Sequence, residues 1–188
     1  MEKQVFVSWS KPVSQKIAIA FCDAIEMLPL GVKCWCSQRT TDLPMGPYDH
    51  RRIIEAASAS DMCVSVLTPE NIVSPWIFFE AGIFYGSGKN VYGLLSCGLT
   101  HQEIKKRNNP IEGYHAYLAD KDSFLGLVKS INLACNNIDE KRFLKGAEAA
   151  YEDLFRLQSE ECKKFSDAEM ASETALPSML RKAFGKTP

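Results

Sequence analysis

The sequence lacks a long hydrophobic run and an excess of charge of either sign. No stretch of its 188 residues approaches the roughly 18 consecutive apolar residues that suggest a membrane-spanning helix. The 22 basic and 23 acidic residues leave a formal net charge of -1, which gives no global electrostatic reason to expect nucleic acid or an anionic membrane as a partner. The first residues, Met1 to Gln4, lack the charged and apolar regions of a signal peptide, so we expect a cytoplasmic protein.

Motifs of common nucleotide-binding and hydrolytic enzymes are also missing. Neither G-x-G-x-x-G nor a Walker motif follows any predicted strand, so a dinucleotide dehydrogenase or a P-loop NTPase is not expected. No G-x-S-x-G elbow is present. The histidines, His50, His101 and His115, form no metal-binding pair on one helix, and we predict surface or loop positions for them. No metal site and no bound cofactor is therefore expected.

The seven cysteines form neither a disulfide framework nor a zinc motif. Their number is odd, and several lie in apolar segments, among them Cys22, Cys63 and Cys135. Cys34 and Cys36 form a C-x-C pair without a second ligand pair at zinc spacing, which favours buried strand thiols over a metal site. Such a set of thiols fits a reducing cytoplasm.

Short β-rich segments alternate with segments of helical periodicity through most of the chain. Strands are predicted at residues 4–9, 32–36, 62–67, 91–95 and 115–118, and helices at 14–28, 48–60, 76–86 and 122–135. Between them, the polar segment 96–113 carries the basic run Lys105 to Arg107, which is more typical of a solvated loop than of a binding patch. The alternation predicts an α/β fold, a flavodoxin-like doubly wound sheet of five parallel strands with helices on both faces.

The pattern changes beyond Asn137. Apolar residues then recur every three or four positions on one amphipathic helix: Phe143, Ala147, Tyr151, Leu154, Phe155, Gln158, Cys162 and Phe165. We predict a domain at 1–137 and a helical C-terminal extension at 138–188, docked on the core or on another subunit. The tail from Ser166 is expected to form one more helical turn or to fray.

One carboxylate stands in an otherwise apolar helical segment between Ser74 and Gly86. Ser74 is a good N-cap and Pro75 suits the first helical position, so the helix is expected to start at about Trp76. The helical neighbours of Glu80 are all apolar and cannot pair with its charge: Trp76, Ile77, Ile83 and Phe84. Glu80 therefore lies either on a narrow solvated strip or in a cleft where it has a function.

Ligands of doubly wound sheets bind outside the carboxyl ends of the strands. The loops predicted at this edge contain residues 8–10, 37–47 and 68–75, and Glu80 follows the third of them by two helical turns. Hydroxyl donors there are Ser8, Ser10 and Ser74, although Ser74 is equally explained as a helix cap. The rings of Trp9 and Trp35 can stack on a base, or they can belong to the core.

Several strings, taken in order, carry a resemblance to a known family. They are V-F-V-S-W-S, V-K-C-W with its following G-P loop, R-R-I-I-E-A-A-S-A-S-D, V-S-V-L-T-P-E-N, S-P-W-I-F-F-E-A-G, N-P-I-E-G-Y and D-K-D-S-F-L-G-L-V-K-S-I-N. Together they cover residues 4 to 135 and resemble a bacterial TIR (Toll/interleukin-1 receptor-like) domain of the NAD-cleaving type. One departure is Trp9, at a position where the family usually has tyrosine.

The resemblance implies a fold, a reaction and a set of site residues. Glu80, four residues after Trp76, corresponds to the catalytic glutamate, and residues 37–47 correspond to the BB loop, which gates the pocket and contacts a neighbouring subunit. The implied substrate is NAD, cleaved to nicotinamide and ADP-ribose or a cyclic isomer in bacterial anti-phage defence signalling. The expected substrate-binding residues are Ser8, Trp9, Ser10, Trp35, Ser74 and Trp76, and the expected BB-loop residues are Arg39, Asp42, Gly46 and Pro47.

Elementary chemistry agrees with a site of one carboxylate. Glycosidases usually need two carboxyl groups because the leaving oxygen must be protonated. Nicotinamide leaves as a neutral base from a cationic ring and needs no such acid. Two alternatives stay open: a non-catalytic module that assembles with other TIR domains, as a homo-oligomer or with a separate sensor or effector, and an enzyme similar to nucleoside deoxyribosyltransferases.

Overall fold

The computed structural model describes residues 3–37, 50–106 and 115–184, with side chains at 3–37, 51–106 and 115–167. These parts contain the strands β1 (Lys3–Ser8), β2 (Val32–Trp35), β3 (Met62–Leu67), β4 (Asn90–Leu95) and β5 (His115–Leu118). Their helices are α1 (Pro12–Glu26), α2 (His50–Ala59), α3 (Pro75–Gly86), α4 (His101–Lys106), α5 (Lys121–Cys135) and α6 (Leu144–Phe184), with a short 3-10 helix at Glu140–Arg142. Most boundaries lie within two residues of the predicted ones.

The five strands form one parallel sheet in the order β2-β1-β3-β4-β5. The predicted flavodoxin-like, doubly wound sheet is thereby confirmed. The strand order reverses between β1 and β3, because the chain leaves β1 toward β2 at one edge and leaves β3 toward β4 in the other direction. Open α/β sheets bind ligands at such a switch point, outside the carboxyl ends of the strands. In this pair of strands Ser8, the last residue of β1, lies beside Ser65.

The two faces of the sheet have separate cores, because successive side chains of a strand point to opposite faces. On one face Val5 and Val7 pack in a large core with residues of α1, α5 and α6. On the other face Phe6 packs with Ile53 of α2 and with residues of α3. Ser8 has the same parity as Phe6, so its side chain points toward α3.

Helix α4 lies in a segment that the sequence predicted as loop. Its start is a capping box in which the hydroxyl of Thr100 accepts from the backbone N–H of Glu103 (3.3 Å) and the Glu103 carboxylate accepts from the backbone N–H of Thr100 (2.9 Å). The pattern T-x-x-E was therefore an overlooked helix signal. Lys105 and Lys106, from the basic run, are exposed in its last turn.

The first part of α6 docks on the core of its own chain. Phe143, just before the helix, and Ala147 and Leu154 within it are buried in the same core as Val5, against α1 and α5. The helix then continues to Phe184, which corrects the prediction of a separate turn or a frayed tail after Ser166. No helix among the described residues is long and apolar enough to cross a membrane.

A disulfide joins Cys97, in the loop after β4, to Cys162 on α6, 65 residues later. For these two cysteines the bond corrects the interpretation of all seven as thiols, and it was not predictable from the sequence because the pairing depends on where α6 lies against the sheet. Cys34 and Cys36 carry buried thiols, as predicted, and Cys135 carries a half-buried thiol.

Candidate active site

Glu80 is buried in the second turn of α3, on the side of the helix that packs against the sheet. Glu80 is only 2 % exposed, and Ile77, Ala81 and Phe84 of the same helix are also buried. Helix α3 begins at Pro75, which suits the first turn, and Glu80 follows five residues later. The carboxylate therefore points into the protein and not onto a solvated strip.

The hydrogen-bond partners that the structure gives Glu80 are neutral. The hydroxyl of Ser8 donates to Oε2 at 2.5 Å, and the side chain of Trp76 forms a second hydrogen bond with the carboxylate. Burial raises the pKa of Glu80 from its ordinary value of 4.5 to about 7, although the bonds from Ser8 and Trp76 act in the opposite direction. A carboxylate held this way can change its protonation state at neutral pH.

Two side chains of β3, those of Cys63 and Ser65, lie on the same face of the sheet as Glu80. Ser65 lies beside Ser8 in the register of β1 and β3, and its hydroxyl is 3.8 Å from Sγ of Cys63. Burial and the nearby charge of Glu80 raise the pKa of the Cys63 thiol. The sequence indicated Cys63 only as a thiol in an apolar segment and gave no sign of Ser65, because their proximity to Glu80 depends on the pairing of β1 with β3.

Asn71 connects the loop after β3 to the loop after β1. Its Oδ1 accepts from the backbone N–H of Thr68 (2.8 Å), and its Nδ2 donates to the carbonyls of Val66 (2.9 Å) and Ser10 (3.0 Å). The residue is 1 % exposed. Asn71 thus fixes the two loops that flank the switch point, a role that was not predicted from the sequence.

Asn71→Ala should lower the free energy of unfolding by about 2–4 kcal/mol, because three buried backbone groups lose their partner. Denaturant unfolding followed by circular dichroism measures the change. Asn90→Ala, at an exposed asparagine at the start of β4, is the matched control and should change stability by less than about 0.5 kcal/mol. Equal effects of the two substitutions would contradict the role of Asn71.

The structure brings only some of the predicted site residues to Glu80. Ser8 and Trp76 contact its carboxylate. Ser10 and Ser74 bond to each other across the two loops, with Oγ of Ser74 donating to Oγ of Ser10 at 3.0 Å. Ser74 does precede the helix, but its side chain makes no capping hydrogen bond.

The two tryptophans, for which the sequence left either stacking on a base or a place in the core, pack against other core residues. Trp9 is 9 % exposed and packs in the core on the opposite face of the sheet. Trp35 stacks on Phe6, with ring centroids 4.7 Å apart, at the edge of the core that contains α3. The predicted BB-loop residues Arg39, Asp42, Gly46 and Pro47 lie outside the described residues.

Several buried polar atoms at the carboxyl ends of β1, β3 and β4 have no hydrogen-bond partner in the part of the chain that the structure describes. They are Trp9 Nε1, Thr68 Oγ1, Glu70 Oε2 and Ser96 Oγ. Unpaired buried polar groups are costly, so this edge favours contact with polar groups beyond those that the described residues supply. The described residues hold no cluster of His, Cys, Asp and Glu that could bind a metal ion.

The arrangement suits chemistry in which a single buried carboxylate stabilises a developing positive charge. It offers no second carboxyl group among the hydrogen-bond partners of Glu80. In comparisons with known proteins, no protein-family model and no curated protein matches the chain. The function must therefore be argued from this site.

Proposed function

We propose that the chain cleaves NAD at the bond between nicotinamide and ribose, with Glu80 as the catalytic residue. The observation that carries the proposal is the buried carboxylate of Glu80, held by Ser8 and Trp76 at the switch point of a doubly wound sheet. The resemblance of residues 4 to 135 to bacterial TIR domains supplies the substrate. The same resemblance is the basis for proposing a role in anti-phage defence signalling.

The proposed reaction needs one charged group and no general acid. As the bond breaks, nicotinamide leaves as a neutral base and the ribose carbon acquires oxocarbenium character. The Glu80 carboxylate stabilises this charge and accepts hydrogen bonds from the ribose hydroxyls, in a buried setting where such interactions are strong. Attack by water gives ADP-ribose and a proton, whereas attack by the adenine ring, with no water added, gives a cyclic ADP-ribose.

Ser8 and Trp76 act in this scheme as positioning residues. Each holds the carboxylate in one orientation, and each favours its charged form by donating a hydrogen bond. Since the pKa of Glu80 is about 7, nearly half of the molecules carry the reactive charge at neutral pH. Activity should therefore rise with pH through neutrality.

Ser8→Ala should move this rise in activity to higher pH by about one unit, because the lost hydrogen bond favoured the charged carboxylate. At pH 7 the rate should fall about fivefold, since fewer molecules carry the charge, and at pH 9 it should recover. The measurement is the pH profile of kcat for nicotinamide release.

Two matched variants separate this role from general damage to the site. Ser65→Ala removes the neighbouring hydroxyl, which contacts Cys63, and should leave the profile in place. Ser8→Thr keeps a hydroxyl and should restore the wild-type midpoint. If Ser8→Ala lowered kcat by the same factor at every pH, the positioning role would be overturned.

A second candidate function is assembly with other proteins or with further copies of the chain. Helix α3 is apolar on all sides, yet part of it is open to solvent: Phe79 is 45 % and Tyr85 69 % exposed, and Val73 in the preceding loop is 59 % exposed. Exposed apolar side chains are typical of interaction surfaces where they form one patch. An assembly module does not need a carboxylate at position 80, so the Glu80 variants separate the two functions.

A further inference from the structure

We propose that Cys97 and Cys162 form a reversible thiol–disulfide site that fastens the outer part of α6 to the carboxyl edge of the sheet. Small thiols open it and disulfide oxidants close it. The proposal does not depend on NAD cleavage, because the bond lies on the face of the sheet opposite to Glu80. Cys97 packs against the core that contains α1 and α5.

The loop after β4 presents Cys97 in an unusual backbone conformation. Its φ of 56° lies in the left-handed region, which is unfavourable for residues other than glycine. The turn is held by two backbone hydrogen bonds, from Ser96 N–H to the carbonyl of Leu67 (2.8 Å) and from Leu99 N–H to the carbonyl of Ser96 (3.2 Å). Cys97 is therefore kept in position by the edge of the sheet itself.

On α6 the disulfide lies where the helix starts to lose contact with the core. Gln158 is the last buried side chain in the part of α6 whose side chains are described, and Cys162 follows one turn later. The neighbouring Glu161 accepts from Lys16 of α1 at 2.7 Å, but this pair is near the surface and contributes little. Among the described side chains of α6 beyond Gln158, the covalent bond is thus the firmest attachment.

Accessibility distinguishes this pair from most of the other cysteines. Cys97 and Cys162 are half-buried, so a small thiolate can reach one of the sulfurs, whereas Cys22, Cys34, Cys36 and Cys63 are buried. The thiolate attacks the disulfide and forms a mixed disulfide, which releases one protein thiol. A second thiol then attacks the mixed disulfide, which leaves both cysteines reduced and two small thiols joined as a disulfide.

Opening the bond should release only the outer part of α6. The inner part is held independently by Phe143, Ala147 and Leu154 in the core. The contact of Ser8 with Glu80 lies on the other face and needs neither cysteine. The redox state of the surrounding thiols would then set whether α6 beyond Gln158 lies against the domain.

The test uses the full chain after treatment with oxidised glutathione and again after reduction by a phosphine. We expect a Cys97–Cys162 linked peptide pair by mass spectrometry, which disappears on reduction. Hydrogen exchange should become faster in residues 159–167 of the reduced chain, and the melting temperature should fall by about 10 °C, because the bond closes a loop of 65 residues.

Cysteine variants provide the matched controls. Cys97→Ser and Cys162→Ser should each behave like the reduced protein and show no further change on reduction. Cys135→Ser, at a half-buried cysteine outside the disulfide, should keep the full response. The proposal is overturned if the oxidised chain yields no linked pair, or if exchange and melting of the wild type are the same before and after reduction.

Discussion

Glu80→Gln should lower the rate of nicotinamide release from NAD by about 10³-fold or more. The amide is close in size to the carboxylate and can still accept the hydrogen bond from Ser8, so the geometry of α3 should persist. It carries no negative charge, however, and it cannot stabilise the positive charge that develops on the ribose. Loss of a single preorganised electrostatic contact in a buried site typically reduces kcat by about 10²–10³-fold, and here the whole charge is lost.

The matched control for this loss is Glu55→Gln. Glu55 is an exposed acid on α2, so the same chemical change is made on a neighbouring helix without touching the site. Nicotinamide release by this variant should stay within about twofold of the wild type, because surface charges away from a site contribute little. A Glu80→Gln protein that keeps more than a tenth of the wild-type rate would rule out Glu80 as the catalytic residue.

Glu80→Gln should also make the protein more stable at pH 8, by about 3 kcal/mol. Burial raises the pKa of Glu80 from 4.5 to about 7, so Glu80 ionises at a higher pH in the folded protein than in the unfolded chain. Each pKa unit corresponds to about 1.4 kcal/mol. Above pH 7 the wild type therefore carries the full cost of a buried charge, and the neutral amide avoids it.

The extra stability of Glu80→Gln should grow as the pH rises from 4.5 to about 7. Between pH 4.5 and about 7 the folded protein binds more protons at Glu80 than the unfolded chain, so the stability of the wild type falls as the pH rises through this window. Below pH 4.5 both states are protonated, and the advantage of the amide should vanish. Denaturant unfolding of the wild type and of Glu80→Gln at pH 4 and pH 8 measures this difference in stability. An equal stability difference at both pH values would contradict the raised pKa of Glu80.

Much of the fold was predictable because local periodicity determines it. The alternation of β-rich runs with helical stripes gave all five strands and the order of the main helices. Glu80 stood out for a similar reason, since a lone carboxylate in an apolar helix is visible without any tertiary information. The capping box of Thr100 and Glu103 carried a comparable local signal for α4, which was missed.

Features that depend on which strands are neighbours could not be read from the sequence. The sequence placed Ser8 and Glu80 at one edge of the sheet, but the direct contact between them and the position of Ser65 beside Ser8 require β1 to pair with β3. The bridging role of Asn71 requires the loops after these strands to meet. Cys97 and Cys162 come together only because α6 folds back over the core, and nothing in their spacing indicates this.

The most direct measurement of the proposed function is nicotinamide release by purified, concentrated protein at pH 8, with wild type and Glu80→Gln assayed in parallel and the products identified by mass spectrometry. We predict nicotinamide together with an equal amount of ADP-ribose or a cyclic isomer from the wild type, and no release above background from the variant. Equal release by the two proteins, or none from the wild type at any protein concentration, would contradict NAD cleavage by Glu80.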